Sequence, residues 1–243
     1  MSGGCVNFFL IRKGIRSRLG KRKEMIKMGH CGSENIRTER LRLVPLNTKD
    51  VGRYIEIAKN MRKVKAENPD YFLYTRFDYS VAPTDDDLKD AVMGLLTSAQ
   101  NSVFPEVTKR LNISLKNGRI IGYIGYLHNP KEKISSDLGI FLDPKYEHKG
   151  YAMEAQKSLL ADYFLNCDDQ IYLTIYPKNR PSYRLNEKCG AVKIDHIEKS
   201  KYGQERDILI ITRKNFIEKV FNKKFKTAQK EKEFLCDFLE GQK

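Results

Sequence analysis

No apolar run in this 243-residue chain approaches the roughly 18 residues that a membrane-spanning helix needs. The longest near the N-terminus, residues 6–11, is interrupted by Asn7 and gives way to basic residues. With no small-residue cleavage site beyond it, a secretory signal is not expected. Met1-Ser2-Gly3 lacks the glycine at position 2 that N-myristoylation requires. The cysteines Cys5, Cys31, Cys167, Cys189 and Cys236 are odd in number and widely spaced, with no C-x-x-C pair. His30, His128, His148 and His196 are equally scattered. Neither a disulfide framework nor a zinc site is indicated, and a reduced, metal-free, cytoplasmic protein is the expectation. Neither the full G-x-x-x-x-G-K-[ST] nor G-x-G-x-x-G occurs, which argues against a Walker loop and a dinucleotide fingerprint.

What the chain does have is positive charge, +14 with an isoelectric point near 9.5. Ahead of Glu34 stand eight basic residues against Glu24 alone, a net +7 and so half of that excess. This segment has little capacity to form a core. It is a solvated, partly disordered extension, or translation starts at Met25 or Met28, or it is an arm that contacts RNA, the ribosome or anionic lipid by releasing counterions. Three regions are expected: a basic N-terminal extension over 1–35, a folded domain over 36–216, and a charged helical segment over 217–243.

Hydrophobic periodicity orders the middle region. Residues 36–45 alternate as a first strand, and Asn47 offers a helix cap before Val51, Tyr54, Ile55, Ala58 and Met61 at helical spacing. The aromatic stretch 63–83 reads as a long loop or short helical turns. Thr84-Asp85-Asp86-Asp87 then caps a second amphipathic helix carrying Leu88, Ala91, Val92, Leu95 and Leu96. The period changes to two at Leu111, Ile113 and Leu115, and Asn117-Gly118 is a strong hairpin signal. A strand over 134–142, a helix over about 149–164, a strand over 171–175 and a short helix over 181–189 follow. Two more strands, over 192–198 and 207–212, join at Tyr202-Gly203, and a Lys/Glu-rich helical stretch begins at Asn215.

The chemistry concentrates at the strand-to-helix passage Leu142-Asp143-Pro144-Lys145-Tyr146-Glu147-His148-Lys149-Gly150-Tyr151-Ala152. A helix start carries unpaired N–H groups and the positive end of the helix dipole, so it receives phosphate well. Gly150 allows close backbone approach, Ala152 stays small, and Lys149 adds a cation. By itself this is a weak signal, because glycine at such a turn more often serves the turn alone.

Four pieces together are more specific: Thr38-Glu39-Arg40-Leu41-Arg42-Leu43; Gly118-Arg119-Ile120-Ile121-Gly122-Tyr123-Ile124-Gly125; His148-Lys149-Gly150-Tyr151-Ala152-Met153-Glu154-Ala155; and Asn179-Arg180-Pro181-Ser182 leading to Glu187-Lys188-Cys189-Gly190-Ala191. In order and spacing the chain resembles the GNAT superfamily of acyl-CoA-dependent N-acetyltransferases, in the branch that includes ribosomal-protein N-terminal acetyltransferases. The resemblance implies an α+β fold: a mixed, mostly antiparallel sheet whose fourth and fifth strands splay apart, with helices on both faces. It implies acetyl-CoA as acetyl donor, with pantetheine along Ile140, Phe141 and Leu142 and the diphosphate on the amides of His148, Lys149, Gly150, Tyr151 and Ala152. Asn179 and Ser182 would face the thioester from the other side.

The chain departs from that pattern at Glu147, where Gln or Arg is usual, and at His148, where Gly is common. It departs again at Ala191, where Phe is usual, and at Asn186, where many relatives carry a tyrosine that protonates the departing thiolate. Glu147 beside a diphosphate is unfavourable unless it turns to solvent or pairs with Lys145 or Lys149. Asp137 is the candidate base for the amine, or else a salt-bridged strand carboxylate. Ser182 is the candidate acid, or else a hydroxyl capping its helix. Tyr183 is a substitute donor or a core aromatic, and Cys189 reads as a buried thiol rather than a nucleophile. The alternative to a transferase is a non-catalytic acyl-CoA-binding or ribosome-associated module on the same fold. No reader motif supports a dedicated nucleic-acid-binding protein.

Overall fold

The computed structural model describes residues 35–100, 108–129, 134–198 and 205–242. The basic arm and the turn at Tyr202-Gly203 lie outside the described residues. Residues 36–45 form two strands rather than one: β1 (Ile36–Arg37) folds back antiparallel on β2 (Leu41–Pro45), with Ile36 opposite Leu43. The break falls at 38–40, where Thr38 Oγ1 accepts from the Leu41 amide at 2.8 Å and both Thr38 and Arg40 turn toward Glu154.

Asn47 caps a 3-10 turn (Thr48–Asp50) that runs into α1 (Val51–Glu67), so this helix extends past Met61. Ahead of α2 (Asp85–Gln100), Thr84 Oγ1 accepts from the Asp87 amide, and Asp87 accepts from the Thr84 amide at 3.0 Å. This is the reciprocal cap that the Thr-Asp-Asp-Asp run predicts. Strands β3 (Thr108–Leu115) and β4 (Ile120–Asn129) meet at the Asn117-Gly118 turn, where Gly118 has φ +87°. Then come β5 (Ile134–Leu142), α3 (Tyr151–Asn166), β6 (Gln170–Ile175) and α4 (Arg180–Lys188). Strands β7 (Val192–Ile197) and β8 (Arg206–Thr212) precede α5 (Arg213–Phe221) and α6 (Ala228–Glu240).

The strands make two antiparallel sheets, β1-β2-β3-β4-β5 and β6-β8-β7. Strands β5 and β6 are neighbours, yet no ladder joins them. The diverging strands are the two segments expected from sequence; they are fifth and sixth because β1 counts separately. Helices cover both faces. On one, Tyr54, Ile57, Met61, Leu88, Val92 and Leu96 of α1 and α2 pack on Tyr123 and Phe141. On the other, Ala155, Leu159 and Tyr163 of α3, Phe216 of α5 and Leu235 of α6 pack on Ile124, Tyr126, Leu142, Leu173 and Leu209.

Among the described residues, no helix is long and apolar enough to cross a membrane, and no group of three or more His, Cys, Asp or Glu is placed to hold a metal. Cys189 and Cys236 are free thiols.

Candidate active site

The gap between β5 and β6 has two strand edges facing each other without ladder bonds. Along an antiparallel strand, main-chain groups point alternately to either side. Half of the N–H and C=O groups of β5 go to β4, with Ile140 opposite Ile124 and Leu142 opposite Gly122. The other half aim into the gap. The side chain of Phe141 does not: it sits among the rings of Tyr54, Tyr74, Phe77 and Tyr123, at centroid distances of 5.0–6.1 Å. Leu142 is buried on the opposite face, with Ile140 packed partly buried on that same core. A ligand in the gap therefore meets Phe141 and Leu142 through backbone alone. Asp137 lies on β5, and its side chain lies outside the described residues.

The end of β5 is firmly anchored. Asp143 is fully buried; it caps the turn at Pro144–Tyr146 and receives Arg53 Nη2 at 2.6 Å and Asn60 Nδ2 at 3.2 Å from α1. From there the chain reaches α3 through two left-handed residues, His148 at φ +59° and Gly150 at φ +81°. Gly150 occupies the N-cap position of α3 and supplies no side-chain cap. Within the described structure, Glu154 N bonds Gly150 O as the helix begins, while the amides of His148, Lys149, Gly150, Tyr151 and Ala152 take no acceptor outside their own helix. Such a run of outward N–H groups is a nest for an anion.

Residues remote in sequence shape this nest. Glu154, in the first turn of α3, accepts from Thr38 Oγ1 at 2.5 Å, from the Arg40 amide at 2.8 Å and from Arg40 Nε at 2.6 Å. Arg40 Nη1 donates to Lys149 O at 3.0 Å, and the guanidinium lies 4.6 Å from the Tyr151 ring centroid. Lys149, expected to supply a cation here, instead donates Nζ to Lys145 O at 2.7 Å. Glu147 neither turns to solvent nor pairs with a lysine: Tyr71 donates to its Oε1 at 2.7 Å. Burial pushes the Glu147 carboxyl above its ordinary range, opposed by the Tyr71 hydrogen bond and the charge of His148. Tyr71 itself is pushed up by burial and by this acidic partner.

On the β6 side, α4 begins with a different arrangement. Asn179 Oδ1 accepts from the Ser182 amide at 3.2 Å and closes the helix start. Asn186, at the place of the relatives' tyrosine, is buried; it donates to Ser182 O at 2.9 Å and stands 3.4 Å from Ser182 Oγ, while accepting from Gln156 of α3 at 2.9 Å. Tyr183 donates to Asp207, which also receives Lys193 Nζ and His196 Nδ1, each at 2.6 Å. Burial alone would raise the Asp207 carboxyl, but donation from Lys193, Tyr183 and His196 holds it at about 2. Burial, and then its hydrogen bond to Asp207, push the Tyr183 hydroxyl up, and its proton is committed to Asp207. Cys189 is buried, which pushes its thiol up to about 12 and leaves it inert as a nucleophile.

The structure thus brings Ile140, Phe141, Leu142 and the 148–152 nest to one wall, and Asn179 and Ser182 to the start of the helix that follows the other. Sequence reasoning assigned no role to Thr38, Arg40 and Glu154, and it read the aromatics from Tyr71 to Tyr79 as lining the acceptor cleft or covering the sheet. The available signal was Glu154 itself, an acid in a first helical turn otherwise read as an anion cradle, which calls for a cation nearby.

A family model described as acetyltransferase (GNAT) domain matches residues 40–192, more than half of the chain. No curated protein matches the chain in sequence. Among solved structures it is similar to an acetyltransferase (GNAT family) from Bacillus anthracis, with 21% identity and TM-score 0.53 over 73% of this chain and 98% of that one. It is similar to a putative ribosomal-protein-serine acetyltransferase from Vibrio cholerae, with 13% identity and TM-score 0.56 over 73% and 97%. RimJ of Mycobacterium smegmatis, solved with CoA-disulfide, gives 16% identity and TM-score 0.54 over 73% and 85%. The match over 40–192 spans the β5–β6 gap and the nest at α3, and the chain belongs to the GNAT family of N-acetyltransferases.

Proposed function

We propose that this protein transfers an acetyl group from acetyl-CoA to a primary amine, on a protein or peptide N-terminus or a small molecule, by direct attack within a ternary complex. One observation carries the reading: amides 148–152, with no acceptor among the described residues outside their own helix, stand where an unladdered strand edge ends. The strand edge suits the amide-bearing pantetheine, as an added strand would, and the nest suits the diphosphate. When bound, acetyl-CoA supplies the thioester carbonyl that the amine attacks.

The chain's own groups then have defined tasks. A main-chain N–H of β5 aimed into the gap polarises that carbonyl. The C–N bond forms, the C–S bond breaks, and the amine's proton must leave. Alkyl ammonium groups titrate near ~10.4 and a protein α-amine near ~7.7, so the latter needs less help. Asp137 takes this proton, directly or through water. The leaving thiolate, with an acidity near that of cysteine at ~8.5, accepts a hydrogen bond from the Ser182 hydroxyl and takes its proton from solvent through that hydroxyl, which ends the step protonated. Asn186 supports this assignment, because its Nδ2 approaches Ser182 Oγ as a donor and leaves the hydroxyl proton available. Tyr183 is less suited, its proton being held by Asp207.

The replacement of the relatives' tyrosine by Asn186 favours a second reading, a CoA-binding module that has lost turnover. Thiol release from acetyl-CoA, followed across N-terminal peptides, polyamines and aminoglycosides, separates the two. Release that requires one of these amines supports the transferase. Tight CoA binding with no release on any amine supports the module, and failure to bind CoA overturns both. The basic arm's contact with RNA or ribosome is an additional proposal, tested by whether salt-sensitive binding disappears when residues 1–34 are removed.

A further inference from the structure

We infer that Arg40 is a ligand of the cofactor's diphosphate, supplied from the first strands of the sheet to the nest at the start of α3. The inference rests on the acetyl-CoA reading above and adds a residue to it. A guanidinium offers five N–H donors in a planar fork. Arg40 uses two of its three nitrogens for anchorage: Nε on Glu154 Oε2 at 2.6 Å and Nη1 on Lys149 O at 3.0 Å, with the guanidinium over the Tyr151 ring. Its remaining nitrogen, Nη2, lies 3.2 Å from where a Cβ on Gly150 would stand. Among the described residues nothing accepts from Nη2, and the side chain is 44% exposed. Two nitrogens are therefore fixed to the protein while the third, Nη2, lies beside the turn that opens α3.

Two further observations separate this from an ordinary surface ion pair. The first is the investment in orientation. Glu154 is held by three donors, from Thr38 and from the backbone and side chain of Arg40, so the guanidinium cannot swing freely. The second is the position of the loop's own cation. Lys149 turns its ammonium back onto Lys145 O, and Lys145 is exposed, which leaves Arg40 as the cation fixed at Gly150. The two positive-φ residues, His148 and Gly150, lie in the loop against which the guanidinium is seated. A diphosphate has oxygens enough to accept from both.

The test is calorimetry of the full chain with CoA and with 3′-dephospho-CoA, which keeps the diphosphate and lacks the 3′-phosphate. Arg40→Gln is expected to weaken both ligands by the same factor, about 10- to 100-fold, as losing a charge-assisted hydrogen bond does. The factor should shrink as salt rises, because the lost attraction is a screened one. Arg40→Lys, which keeps a point charge without the fork, is expected to fall between wild type and Arg40→Gln, and it carries the test if the glutamine variant does not fold. Unchanged CoA affinity in both variants overturns the inference. So does a loss seen with CoA but not with 3′-dephospho-CoA, or a loss independent of salt. Failure of the wild type to bind CoA overturns the acetyl-CoA reading itself, whereas wild-type binding with an indifferent Arg40 overturns this inference alone.

Discussion

Two helices begin beside the same gap, and they begin differently. The start of α3 has Gly150 at its N-cap, no side-chain cap and unclaimed amides. The start of α4 is stopped by its own Asn179, whose side chain takes the Ser182 amide. Both carry the dipole and the orphan donors common to any helix start. Only α3 spends local structure, two left-handed residues and an arginine from β2's approach, on keeping those donors outward. If α3 holds the diphosphate as proposed, what sets it apart from α4 is that its start is left without a side-chain cap.

The largest expected effect tests this directly. Gly150→Glu places a side chain at φ +81°, against Arg40, and brings a carboxylate to the nest. CoA affinity should fall by more than about 100-fold, roughly 3 kcal/mol, by calorimetry. Retained affinity would remove the distinction between the two helix starts.

Next in size is the acid response, where the two sides have opposite signs. The folded-state pKa of Asp207 is depressed from its ordinary 3.8 to about 2, so its contribution to stability is present above about 4 and is lost as pH falls toward 2. Discounted for the half-exposed Lys193, this is about 1–2 kcal/mol. Asp207→Asn should remove it, flattening the stability curve in that window in urea titrations at stepped pH. Glu147 is displaced upward by burial, so its ionised form costs stability above its folded pKa, and that cost is relieved as pH falls.

Asn179→Ala comes third. Loss of a helix cap costs about 1 kcal/mol in stability and should leave CoA affinity within about threefold. A collapse of affinity without loss of stability would show α4 to be a second anion site. The smallest effect is Glu147→Gln, which keeps a polar partner for Tyr71 while removing a charge beside the nest. CoA binding should tighten by about two- to fivefold and lose its dependence on pH through the range in which Glu147 titrates.

Much of the frame was legible in the residues. Asn117-Gly118 marks its hairpin because glycine takes the positive φ of the turn, and Thr84 with Asp87 marks the start of α2 because both members of a reciprocal cap are local. The bend within 36–45 was not legible. Its cause, Glu154, lies 116 residues from Thr38 along the chain, and alternation alone favours one strand. The nest was readable as a place because Gly150 and the helix pattern adjoin. Its surroundings were less legible, since Lys149 Nζ donates to Lys145 O and a second cation, Arg40, arrives from a distant part of the chain. Glu147 was recognised as an electrostatic problem. Its resolution, a tyrosine from the aromatic stretch 63–83, depends on how that stretch returns over the sheet.

The burial of Asp143 reaches beyond stability. With Arg53 and Asn60 clamping the end of β5, the loop to α3 starts from a fixed point, and its two unusual backbone angles are already set in the free protein. Ordering a loose loop of this length on capture would cost about 1–2 kcal/mol per residue, which an already shaped loop does not incur again. Should the loop receive the diphosphate as proposed, no slow rearrangement of the chain need precede it.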